Sequence, residues 1–312
     1  MKIVFAGTPE FAIKPLEAIF EGGFSVVGVI TQEDKPQGRK GILTPPPVKT
    51  KAAELGIPVI QPHKIREEVE AVKALGGDLM VTCAYGQILT QEVLDAFPMG
   101  VWNIHAGLLP AYRGASPIQS CILNGERETG VSIMKTELGL DQGDVLAVAK
   151  TQVLPSETYG ELSDRLSALS APLIVEALRT LESGVFTLIP QGEEGVHVYR
   201  KINKDQVKID FSKSAREIVD LVRAANPAPI AYTAFSGGSL NVYLAEVAEM
   251  NEEYLSAKIG EVVCDTPKKG LIIRCGDGVV KLLEVQAAGG KRMKGSDFLN
   301  GKKLVKGQVL SC

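Results

Sequence analysis

Residues 57–86 read IPVIQPHKIREEVEAVKALGGDLMVTCAYG, and the reading of this stretch decides the fold. Its ends, IPVIQP (57–62) and DLMVTCAYG (78–86), are short and rich in β-branched or aromatic residues, as strands are. Between them, Ile65, Val69, Val72 and Leu75 recur at helical spacing within a charged segment. Upstream, KIVFAG (2–7) and FSVVGVIT (24–31) read as further strands, and downstream so does GVWNIHAG (100–107). Strands alternating with helices imply a mostly parallel sheet covered on both faces, a doubly wound, Rossmann-like α/β domain. Pro9, just after Thr8, fits the start of the first intervening helix, while Pro15 calls for a kink or a later start.

Beyond Thr129 the pattern changes. TGVSIMKT (129–136) and VLAVAKTQV (145–153) are both strand-like and are joined by the short loop ELGLDQGD (137–144), which favours an antiparallel pair at a sheet edge. Thr158 and Glu161 form a capping box, and a long helix is expected from there to about Glu182. The polar, glycine-bearing residues 190–206 read as a linker. After a helix over 214–225 come short strands broken by turn residues, among them LNVYLAEV, KIGEVV, GLIIRCG and GVVKLLEV. They predict a small antiparallel β-barrel of the OB-like kind. The expected organisation is a first domain over 1–189, a linker over 190–206 and a barrel domain over 207–312.

Composition bounds the function. A chain of 312 residues exceeds one comfortable core, and 45% hydrophobic with 23% charged residues is ordinary for a globular protein. No apolar run approaches the ~20 residues that span a bilayer, and the N-terminus reads as a first strand rather than a signal peptide. The five cysteines (Cys83, Cys121, Cys264, Cys275 and Cys312) are scattered and odd in number, which suits reduced thiols in the cytoplasm better than a disulfide framework or a zinc site. The net charge is −3, but two clusters run against it. Lys35, Arg39, Lys40, Lys49 and Lys51 face only Asp34 in sequence, and Lys291, Arg292, Lys294, Lys302, Lys303 and Lys306 face only Asp297. Such patches could receive phosphates, or could simply solubilise loops.

Several chemistries lack their motifs. The turn AGTPEF holds one glycine, Gly7, where a dinucleotide fingerprint needs three. There is no phosphate loop, no G-x-S-x-G elbow and no H-E-x-x-H, and the three histidines are too far apart for a local metal motif. What remains is Asn103 and His105. On a strand, residues i and i+2 share a face, so a carboxamide and an imidazole project together from the carboxyl end of a strand, where open α/β sheets bind ligands. The following GLLP could wall a flat heterocycle with apolar side chains and backbone groups. The loop GLDQGD brings Asp141 and Asp144 near if it folds over the sheet.

These residues resemble the folate-dependent formyltransferases. An N-x-H, a GLLP turn, RGASPIQ and then GLDQGD carry the likeness. So do IVFAGTPEFA, TQEDKPQGRK, PPPVK, CAYGQIL and, in the second domain, KIDFSKSAREIVDLVRAANPAP and GDGVVKLLEVQAAGGKRM. The resemblance covers nearly the whole chain and is closer to the tRNA-directed members. It implies Asn103, His105 and Asp141 as catalytic residues. It further implies a folate site of Gly107, Leu108, Leu109 and Pro110 with Ala84, Tyr85 and Gly86. Arg39 and Lys40, with Lys291, Arg292 and Lys294, are the implied tRNA contacts. The implied reaction moves a formyl group from 10-formyltetrahydrofolate to initiator methionyl-tRNA, with no metal, in a cytoplasmic monomer. Two positions depart from the family pattern: Gly107 replaces a serine, and Ala228 replaces the tryptophan of an N-P-W-P turn. Rival readings are a hydrolase acting on the same folate, a formyltransferase for amino-sugar nucleotides, and a non-catalytic RNA-binding adaptor.

Overall fold

Five apolar runs read from the first half form adjacent parallel strands: β1 (Lys2–Gly7), β2 (Ser25–Ile30), β3 (Val59–Ile60), β4 (Leu79–Cys83) and β5 (Val101–His105). This is a computed structural model, and it describes the chain apart from Arg39, Gly237, Asp265, Pro267, residues 301–303, Ser311 and Cys312, with only the backbone of Asn300. Arg39 of the expected tRNA contacts, Lys302 and Lys303 of the basic cluster, and Cys312 therefore lie outside the described residues. Two further strands, β6 (Glu128–Lys135) and β7 (Val145–Gln152), complete a seven-stranded sheet in the order β7-β6-β5-β4-β1-β2-β3. As the short loop between them implied, β6 and β7 are antiparallel, and β6 also runs antiparallel to β5.

The sequence of β1 explains its place. Ile3, Val4, Phe5 and Ala6 are all fully buried, with no polar alternation, because both faces of a parallel sheet are covered. From β1 the chain builds outward through β2 and β3, then returns to the other side of β1 with β4 and β5. That reversal puts a crevice beyond the carboxyl ends of β1 and β4, the usual ligand position in such sheets.

The helices settle two points left open by the sequence. A 3-10 turn (Glu10–Ala12) precedes α1 (Ile13–Glu21), so the helix starts late and Pro15 lies in its first turn, where an amide would have no helical acceptor. The periodic segment after Ile65 is less regular than its spacing suggests. A 3-10 turn (Ile65–Glu67) and a short helix (Val69–Lys73) are separated at Glu68, whose carboxylate turns back to accept from the His63 amide at 2.8 Å. The capping box at Thr158 forms as read: its amide donates to Glu161 Oε2 at 2.8 Å, and α2 (Tyr159–Ser183) follows. Those hydrogen bonds hold the Glu161 carboxyl below its ordinary pKa.

By contact, the described chain divides into two compact units. One is Met1–Pro117, Glu128–Gln152 and Ser163–Tyr199; the other is Ile118–Arg127, Val153–Leu162 and Arg200–Cys312. In the second, α3 (Ala215–Ala224) begins at a Ser214–Glu217 capping box and buries Ile218, Val219 and Val222 against a curled antiparallel half-barrel. Its strands are Ala231–Phe235, Gly238–Ala248, Val262–Cys264, Leu271–Arg274, Val279–Ala287 and Met293–Lys294. Irregular pairing around Val242, Leu244 and Ala245 supplies bulges that bend the long strand. Within the same core unit, α3 carries a buried ion pair. Arg223 donates to Asp220 Oδ1 at 2.6 Å, and to the Leu154 and Glu157 carbonyls at 3.0 and 2.9 Å.

Candidate active site

Strand alternation sets the site. Trp102 and Ile104 pack into one side of β5, and Asn103 and His105 project from the other. On the neighbouring strand, Thr82 lies in register with Asn103, and its hydroxyl donates to Asn103 Oδ1 at 2.9 Å. That bond assigns the carboxamide's orientation and turns its NH2 end, the donor, away from Thr82.

His105 is buried, with its Nε2 2.6 Å from the Tyr112 carbonyl oxygen. A carbonyl only accepts, so Nε2 carries a proton and Nδ1 is the nitrogen left for proton traffic. Nδ1 faces Asp141 Oδ2 at 3.7 Å, an ion-pair approach longer than a hydrogen bond. The structure gives this approach to Asp141 rather than Asp144, whose carbonyl instead joins the ladder by accepting from the Lys135 amide at 2.9 Å.

Asp141 reaches His105 because its loop doubles back. His105 is paired with Ser132 and Trp102 with Lys135, so the loop leaves β6 beside the start of β5 and must return along the sheet to the histidine. Asp141 takes a left-handed backbone, φ 48°, which an aspartate tolerates better than most residues. Its Oδ2 also accepts from the Gly114 amide at 2.7 Å.

The turn of Gly107, Leu108, Leu109 and Pro110 lies directly beyond His105. A Cβ at Gly107 would sit 3.0 Å from Pro117, 3.1 Å from Tyr112 and 3.2 Å from the His105 ring, so glycine suits this close approach. Fully buried on β6, Ser132 donates to the Gly107 carbonyl at 2.8 Å. Ala84, Tyr85 and Gly86 follow the end of β4, next to β5 in the sheet. The Tyr85 ring is buried in the core and burial pushes its phenol pKa up, while its carbonyl accepts from Thr8 Oγ1 and Gln32 Nε2. Hence Ala84 and Gly86, rather than the Tyr85 side chain, edge the crevice. A cavity of about 900 Å³ beside Trp102, Phe97 and Phe186 has none of Asn103, His105 and Asp141 in its lining.

Of the expected tRNA contacts, Lys40 is exposed near the tip of a hairpin pairing Lys35–Gln37 with Ile42–Thr44, within a stretch that reads as a loop in sequence. Lys291 and Lys294 are exposed on the half-barrel. Arg292 bonds to Glu284 at 2.5 Å and lies over the Tyr243 ring at 4.1 Å. Lys294 instead borders a depression of about 510 Å³ together with Lys268, Lys269 and Lys281.

Thr82, Ser132, Gln191 and this lysine group escape sequence reasoning. Their partners lie far along the chain, and no local spacing marks them. Among the described residues, no group of three His, Cys, Asp or Glu side chains could hold a metal ion, and no helix is long and apolar enough to cross a membrane.

Comparison with known proteins shows the family. Residues 1–178 match the formyl transferase family and residues 201–303 match the formyl transferase C-terminal domain. A methionyl-tRNA formyltransferase of Coxiella burnetii is 43% identical over 99% of this chain and 99% of its own. One from Symbiobacterium thermophilum is 44% identical over 96% and 92%. Among solved structures, Aquifex aeolicus HypX in complex with tetrahydrofolic acid superimposes with a TM-score of 0.65 at 20% identity. It covers 99% of this chain, which spans 48% of HypX, and this likeness speaks for the fold. A chain that matches both family domains and is more than 40% identical to these relatives over nearly its full length belongs to the methionyl-tRNA formyltransferase family.

Proposed function

We propose that this chain transfers the formyl group of 10-formyltetrahydrofolate to the amino group of initiator methionyl-tRNA. The products are N-formylmethionyl-tRNA, for translation initiation, and tetrahydrofolate. The observation that carries the reading is the convergence of Asp141 on His105, 3.7 Å apart, on the face that also bears Asn103. In this reading residues 1–189 form the catalytic domain, 190–206 the linker and 207–312 the tRNA-binding domain, in a monomer working in the cytoplasm.

The chemistry follows from the three side chains. The amine's lone pair attacks the formyl carbon, and the C=O electrons move onto oxygen. The Asn103 NH2, oriented through Thr82, donates to that oxyanion; such a donor is worth on the order of 3 kcal/mol of barrier. As the carbonyl re-forms, the bond to N10 breaks and N10 takes a proton from His105. The attacking nitrogen, now cationic, loses its proton to the His105–Asp141 pair directly or through water, which resets the site. The turn over 107–110, with Ala84 and Gly86, walls the folate. No covalent enzyme intermediate is needed.

The test is to combine purified protein, 10-formyltetrahydrofolate and methionyl-tRNA. Tetrahydrofolate and formylated tRNA should appear in equal amounts. Tetrahydrofolate with free formate would favour the hydrolase, and neither product would refute the reading.

The tRNA surface has its own expectation. Lys40 on the hairpin, and Lys268, Lys291 and Lys294 on the half-barrel, are exposed and suited to backbone phosphates, while Lys269 and Lys281 beside them are paired with Glu253 and Glu246. KM for methionyl-tRNA should climb steeply with salt. Replacing Lys268 and Lys294 together by Gln should reduce the log–log salt slope by roughly one to two and leave kcat unchanged. Steady-state kinetics at several salt concentrations checks this, and an unchanged slope would remove these lysines from the interface.

A further inference from the structure

Gln191 lies in the stretch that reads as a linker, yet within the first unit its side chain ends on the catalytic loop. Its Nε2 donates to the Asp141 carbonyl at 2.9 Å and to the Gly143 carbonyl at 2.7 Å. Its Oε1 accepts from Arg113 Nε at 3.0 Å. One side chain thus ties together both carbonyls flanking residue 142 and the residue next to Gly114, whose amide holds Asp141 Oδ2. The carboxamide is therefore engaged at both ends, as a clamp would be.

Arg113 is itself fixed. Arg113–Gly114 pairs in parallel with Val198–Tyr199, and the Arg113 amide donates to the His197 carbonyl at 3.0 Å. The Tyr112 and Tyr199 rings stack at 5.1 Å beside this ladder, and the Tyr112 carbonyl is the acceptor for His105 Nε2. Segment 191–199 accordingly reaches both sides of the His105–Asp141 approach, through Gln191 on the acid and through Tyr112 on the ring.

Asp141 needs such support. Its left-handed φ is sparsely populated for a non-glycine residue, and conformers of that kind persist where the surroundings over-determine them. The loop has also doubled back from the far end of β5, so strand pairing does not fix its height above His105. We propose that Gln191 is a positioning residue for formyl transfer, holding the Asp141 main chain so that the carboxylate meets His105. This rests on the proposed function and extends it to a residue that touches no reacting atom.

The test is a double-mutant cycle in the full-length protein. Gln191→Glu keeps length and the acceptor toward Arg113 but removes both N–H donors, and Gln191→Met removes all three bonds at similar volume. Each should lower kcat about 10- to 100-fold, the scale expected when a catalytic group shifts by about an ångström, with KM for methionyl-tRNA essentially unchanged. In an Asp141→Ala background the same changes should cost almost nothing further, because the group they position is gone. Wild-type kcat in Gln191→Glu would overturn the proposal. So would losses that multiply with Asp141→Ala, which mark a general structural role. Failure of the wild-type protein to formylate methionyl-tRNA would instead refute the functional reading, and so the two failures are separable.

Discussion

His105→Ala should slow single-turnover formyl transfer by about three orders of magnitude, while KM for methionyl-tRNA and for the folate changes little. The size follows from what is lost. N10 cannot leave as an anion, and Nδ1 of His105 is the nitrogen free to protonate it, since Nε2 is committed to the Tyr112 carbonyl. His105→Gln, which can still donate to that carbonyl, serves as a control for folding. Asn103→Ala should cost about 10²- to 10³-fold by loss of the oxyanion donor. The double variant should cost less than the product of the two, because the groups act in one transition state. Near-wild-type turnover of His105→Ala would remove the histidine from the mechanism.

Asp220→Ala should destabilise the protein by about 3–5 kcal/mol, read as a lower midpoint in urea unfolding. Asp220 and Arg223 are each only 3% exposed, and the guanidinium depends on Asp220 for its bonds at 2.6 and 3.1 Å. Deleting the carboxylate leaves a positive charge buried without its counterion. The two carbonyls that Arg223 also holds, from Leu154 and Glu157, keep it from swinging out to water without a further loss. Asp220→Asn should cost less, since it retains an acceptor. A change below about 1 kcal/mol in Asp220→Ala, within the range of exposed pairs, would mean that the charge finds solvent.

Much of the first sheet is legible in the sequence for a single reason. Strands buried on both faces read as largely apolar runs, and KIVFAG and LMVTC announce themselves without reference to their neighbours. Local hydrogen bonding is equally plain, as at Thr158–Glu161, because both partners lie within one turn. Features decided by distant partners are hidden. The helical spacing from Ile65 to Leu75 says nothing of Glu68 bending back to His63. The alternation that aligns Asn103 with His105 can be read from three residues. The choice of Asp141 over Asp144 depends on how far the loop doubles back. Thr82, Ser132 and Gln191 act across separations of 21, 25 and 50 residues, beyond any periodicity. Arg292 looks like a free cation in sequence, yet its charge is engaged by Glu284, eight residues away on a neighbouring strand.

Because β6 opposes β5, the imidazole and the carboxylate of this site are held in different ways. The imidazole is locked to a rigid plank, and the carboxylate arrives at the end of a tether whose span must match the distance it retraces. A change in the length of that tether should therefore move the carboxylate against the ring while the pairing of β5 with β6, which carries the ring, stays in register.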